Sequence, residues 1–115
     1  MVKGKSAIES QKKMLQLAIQ IVEEVAKEYP SLAKVYVFGS RARGDYLDTS
    51  DIDLVFVMRG IKNINVIERM YLVSKFVKKG KVDYIVIDEE EKPPKDSKLL
   101  WSREKGFVNI EGFLI

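Results

Sequence analysis

Apolar residues at the start of the chain recur at helical intervals: Ile8, Leu15, Ala18, Ile19, Val22, Val25, Ala26 and Tyr29. The lysines and glutamates between them form a solvated face, so the segment reads as a long amphipathic helix. Ser6 followed by Glu9 has the spacing of a capping box at its start, and Pro30-Ser31 ends it by removing a donor. The period then changes. Residues 34–38 are β-branched or aromatic apart from Lys34, which suits a strand covered on both faces, and Gly39-Ser40 closes it. Arg41 to Gly44 reads as a short helical turn, and Tyr46 to Ser50 as a polar loop in which Asp45 and Ser50 serve as turn and strand cap. A second strand spans Ile52 to Met58 and breaks at Gly60.

Asn65 with Glu68 three residues on caps a second helix, whose Ile67, Met70, Tyr71, Ser74 and Val77 lie along one side and read as core. Gly80 is its expected end. Residues 81–87, KVDYIVI, read as a third strand with Asp83 near its beginning. After the acidic cluster 88–91 and Pro93-Pro94, Asp96 or Ser97 is expected to cap a last helix through Leu99, Leu100 and Trp101 to Lys105. The apolar tail FVNIEGFLI either packs on the sheet or meets another chain.

Strand, helix and strand in succession form a right-handed crossover between parallel neighbours, which places Asp83 at the same end of the sheet as Asp51 and Asp53. For Gly39-Ser40 to reach that end, the first strand must run antiparallel to the second. The expectation is an α/β chain of the α+β type, residues 1–115 as one domain. It has a small mixed three-stranded core sheet with flanking helices in the order α-β-α-β-α-β-α.

The chemistry gathers at that rim. Asp51 and Asp53 are two apart, so their side chains leave one face roughly 6.5–7 Å apart along the backbone. Two carboxylates at the mouth of a buried strand repel one another and lose hydration, and a hard divalent cation with oxygen ligands relieves both penalties. Gly39 lets a ligand approach the main chain, and Ser40 adds a hydroxyl beside exposed N–H groups, a combination that cradles an anion.

Composition narrows the options. The chain of 115 residues has no His and no Cys, which removes His-based acid–base catalysis, Ser-His triads, the usual zinc sites and disulfides. Carboxylates, backbone dipoles, Lys or Arg and a bound ion are left to carry any reaction. The net charge of +3 suits an anionic ligand but is too mild to argue for nucleic acid, and direct nucleic-acid binding is not expected. With no apolar run of membrane length and no secretory signal, a soluble cytoplasmic protein is expected.

Gly39-Ser40, ten residues, then Asp51-Ile52-Asp53 resembles the signature of the DNA polymerase beta-like nucleotidyltransferase superfamily, and GSRARGD followed by SDIDL resembles its minimal nucleotidyltransferase branch. The likeness runs from about Val35 to Ile87. It implies that Asp51, Asp53 and Asp83 are catalytic metal ligands holding two magnesium ions, one carried with ATP and one activating the acceptor oxygen, with Asp83 also helping to take the proton. It implies that Gly39 and Ser40 hold the nucleotide phosphates. Arg41 and Arg43 are candidates to neutralise them, and Arg41, next to the cradle, is the stronger of the two. The reaction implied is AMP transfer from ATP to a hydroxyl. Members of the branch are commonly paired with all-helical HEPN proteins as antitoxins, where they adenylylate a toxin tyrosine. The alternative is a non-catalytic antitoxin that binds nucleotide and occludes its partner. A drug- or sugar-modifying enzyme would need a built-in acceptor pocket, for which the chain looks too short. Base preference and self-association stay open.

Overall fold

In the computed structural model, which describes residues 4–77 and 80–114, the chain folds in the order helix α1 (Lys5–Glu28), strand β1 (Leu32–Phe38), helix α2 (Ser40–Arg43), strand β2 (Ile52–Met58), helix α3 (Val66–Ser74) and strand β3 (Val82–Asp88). Strands β4 (Lys98–Ser102) and β5 (Gly106–Phe107) and a 3-10 turn (Glu111–Leu114) complete it. One sheet runs β3-β2-β1-β4-β5. β1 is antiparallel to β2, and β2 is parallel to β3, as the convergence of the motifs requires.

α1 covers one face of the sheet with Met14, Leu15, Ala18, Ile21, Val22 and Val25, all buried. From β2, Ile52, Leu54 and Phe56 enter that core, and alternation turns Asp53, Val55 and Val57 to the opposite face. The expected capping box is not what starts α1. Gly4 is the N-cap with no side-chain cap, and the Ser6 hydroxyl donates instead to the Asp48 carboxylate, tying the helix to the loop before β2. Asn65 caps α3 as expected, its Oδ1 accepting from Glu68 N at 2.9 Å.

Two further expectations are corrected. The sheet has five strands, because the stretch read as a last helix is β4, paired antiparallel to β1 with Trp101 opposite Val35. Its expected caps are occupied elsewhere: Ser97 Oγ turns back to Pro94 O at 2.6 Å, and Asp96 takes a left-handed φ of 66°. The free edge of β1 gains a partner, and Leu100 and Trp101 are buried. Second, α3 ends at Ser74, short of Gly80, and packs through Arg69 and Val73; Ile67 and Tyr71 point outward, 71% and 72% exposed. Of the two placements open to the tail, it takes the first, packing on its own fold through Phe113, which is in the core cluster, while Ile115 lies outside the described residues. No helix among the described residues is long and apolar enough to cross a membrane.

Candidate active site

The antiparallel pairing sets Phe38 opposite Asp53, so the chain leaves β1 at Gly39 beside that carboxylate. The parallel pairing sets Asp83 opposite Asp53 in register, one strand spacing of about 4.8 Å away. Asp51 stands one residue before β2 and is exposed. Gly39, Ser40, Asp51, Asp53 and Asp83 therefore share one rim of the sheet.

Gly39 is required twice over. Its φ of 72° is in the left-handed region, and a Cβ there would collide with Asp53 Oδ2. The carbonyl of Gly39 accepts from Ala42 N and Arg43 N at 3.1 and 3.0 Å, which winds the chain directly into α2 with Ser40 as its first residue. The first amides of such a turn have no acceptor inside it and are available to an anion.

Burial raises the proton affinity of Asp53, and the negative charges of Asp83 and Asp51 raise it further, while Arg43 opposes them. The charges of both neighbouring acids thus bear on Asp53. Among the described residues no three acidic side chains close around a point as a ready-made ion cage. The donors are all oxygen, Asp51 and Asp83 are exposed, and burial together with both neighbouring charges penalises ionisation of Asp53. That set fits magnesium, which binds through one or two carboxylates and takes its other ligands from water and substrate phosphate.

The two arginines, both candidates to meet phosphate, differ in their surroundings, and the one next to the cradle is the buried one. Arg41 is 1% exposed, and its guanidinium is committed to protein acceptors. Nε and Nη2 donate to Ser50 O at 3.0 and 2.6 Å, Nη1 to Gln11 Oε1 at 2.9 Å, and Nη2 also to Ser10 Oγ at 2.9 Å. The plane lies over the Tyr46 ring, 4.8 Å from its centroid. Arg41 holds the loop that delivers Asp51, and it faces away from the cradle. Arg43 is the arginine whose charge reaches Asp53; it is exposed and pairs with Asp45 at 3.3 Å.

Gln11 is the residue that sequence reasoning missed. Fully buried, it donates to Arg41 O at 3.1 Å and to Phe113 O at 2.9 Å, joining α1, α2 and the tail. Its signal was present, since 11, 14, 15 and 18 share one helical face and only residue 11 is polar.

The sequence pattern of the nucleotidyltransferase domain family matches residues 18–105. A crystal structure from Sulfolobus solfataricus, provisionally assigned as a nucleotidyltransferase, is 67% identical and superposes with a TM-score of 0.90, covering 94% of this chain and 97% of that one. A toxin-antitoxin structure with AMP-PNP is 20% identical, with 84% of this chain and 80% of that chain covered and a TM-score of 0.48. A mutant of the toxin-antitoxin MntA-HpeT is 19% identical, with 90% and 80% covered and a TM-score of 0.44. No curated protein matches the chain. With the family pattern extending from the middle of α1 through β4 and enclosing the whole rim, the chain belongs to the nucleotidyltransferase domain family.

Proposed function

We propose that this protein moves AMP from ATP to a hydroxyl of a partner protein, a tyrosine, and that it does so as the antitoxin half of a HEPN/MNT toxin–antitoxin pair. The observation that carries the transferase reading is the in-register placement of Asp53 and Asp83 with Gly39 packed against the Asp53 carboxylate. The partner and its tyrosine rest on the resemblance of GSRARGD and SDIDL to the minimal branch.

In this reading the amides and hydroxyl around Gly39-Ser40 hold the triphosphate, and Arg43 meets its negative charge from the loop side. Asp51, Asp53 and Asp83 would hold magnesium, which when bound supplies charge stabilisation to the attacking and leaving oxygens. The acceptor oxygen attacks the α-phosphorus, the bond from that phosphorus to the bridging oxygen of the β-phosphate breaks, and pyrophosphate leaves. The hydroxyl proton passes to Asp83 and from there to water.

The test is incubation with ATP labelled in the α-phosphate, magnesium and whole-cell lysate. One labelled protein acceptor is expected, and Asp53→Asn is expected to abolish the label. If Asp53→Asn still neutralises the partner as well as the unaltered protein does, the chain acts by occlusion and transfer is not its role.

A further inference from the structure

A cavity of about 780 Å³ formed by the described residues is not lined by any of the candidate active-site residues. It lies along the amino-terminal half of α1, against the loop 48–50 and Lys81. It nevertheless adjoins the catalytic rim. Ser50, in its wall, directly precedes Asp51, and the Lys81 carbonyl accepts from Ile52 N at 3.0 Å, two residues before Asp83.

Its lining has more cationic than anionic side chains. Lys5, Lys13 and Lys81 all contribute, and among the described residues none of the three is in an ion pair. Two acids share the wall. The carboxylate of Asp48 accepts from the Ser6 hydroxyl and its negative charge acts on the buried Arg41, while Glu9 is the other acid among the lining residues. Met14 adds an apolar patch. A uniformly charged phosphate chain would meet Glu9 and Asp48 as well as the lysines, whereas a polypeptide can match lysines with acidic side chains and Met14 with an apolar one.

We propose that this groove docks an acidic segment of the acceptor protein and so presents a nearby hydroxyl to the rim at Asp51 and Asp83. The inference rests on the transferase reading above for the destination of that hydroxyl, and on the lysines alone for docking.

Fluorescence anisotropy with a labelled glutamate–tyrosine copolymer tests docking without requiring catalysis. The unaltered protein should bind it, less tightly as salt rises, and prefer it to a lysine–tyrosine copolymer. The combined Lys5→Glu, Lys13→Glu and Lys81→Glu protein should bind it at least about tenfold more weakly, as expected for reversal of interface charge. Lys→Arg at the same positions should retain binding, and circular dichroism checks that both variants are folded. Equal binding by the unaltered and reversed proteins, or no binding by either, overturns the proposal. So does a single-stranded oligonucleotide that binds through the same lysines and displaces the copolymer. AMP incorporation is read in parallel. Docking without incorporation counts against the transferase reading and leaves the groove assignment standing. Incorporation that the reversals do not change counts against the groove and leaves the transferase.

Discussion

A Cβ on Gly39 would press on Asp53 Oδ2 and turn that carboxylate aside. The turn proposed to cradle an anion and the strand that carries the candidate metal-binding carboxylate are thus in direct contact. Either one, displaced, displaces the other.

Gly39→Ala should accordingly damage fold and site together. The left-handed φ costs about 1–3 kcal/mol for a residue with a Cβ, and the Asp53 carboxylate must turn aside to admit it. Chemical denaturation should report that loss, and calorimetry should report weakened ATP binding. An alanine variant with unaltered ATP affinity would remove the cradle.

Asp53→Asn separates stability from activity. Burial first, then Asp83 and Asp51, raises the folded-state proton affinity of Asp53, so the folded protein is favoured at low pH. That contribution is complete below the unfolded pKa and is lost as pH rises through the folded one. At neutral pH in chelator the asparagine variant should melt at or above the temperature of the unaltered protein while losing AMP transfer. Magnesium should raise the melting temperature of the unaltered protein and leave that of the variant nearly unmoved. A variant that melts lower in chelator would contradict the repulsion described.

The two arginines should behave oppositely. Arg41→Met leaves Gln11 Oε1 and the Ser50 carbonyl without their donor and should destabilise by on the order of 3 kcal/mol. Arg43→Ala removes an exposed pair with Asp45 and should change stability by less than about 1 kcal/mol. It should still weaken triphosphate binding. Equal stability loss in both variants would reject this division of roles.

Acid should loosen the end of the sheet opposite the candidate site. Asp88 accepts from Glu90 N and Ile61 N, and Glu91 is held by Arg69; these bonds keep both carboxyls below their ordinary range. Their contribution is present above the unfolded pKa and is lost as pH falls through the folded values. Asp88→Asn should flatten the fall of stability in acid. Melting curves taken across the acid range would show an unchanged slope if the network is idle.

Local pattern was sufficient for the rim. The strand ending in Gly39-Ser40, the Asp51-Ile52-Asp53 triplet and the crossover to Asp83 each lie within a few residues of their own signal, and the pairings follow from the need for them to meet. The segment 98–102 was illegible because a short apolar run fits a helix or a buried strand equally well. The outward turn of Ile67 and Tyr71 was illegible for a related reason. α3 and the turn after it also carry Leu72, Val73 and Phe76 on the other side, and apolar residues on both sides leave the period without a preferred face.

Residue types and their spacing along the chain determined which groups could do chemistry here and which strands carry them, because a strand end and a two-residue carboxylate interval are properties of neighbours in sequence. Which arginine is buried and which stays exposed, which polar side chain braces the loop, and what covers the edge of β1 were decided only in the tertiary structure. Each depends on partners far away in the chain: Gln11 for Arg41, Leu99 and Trp101 for β1, Phe113 for Gln11. A buried donor is satisfied by whichever acceptor the packing brings to it, and no local pattern records that meeting.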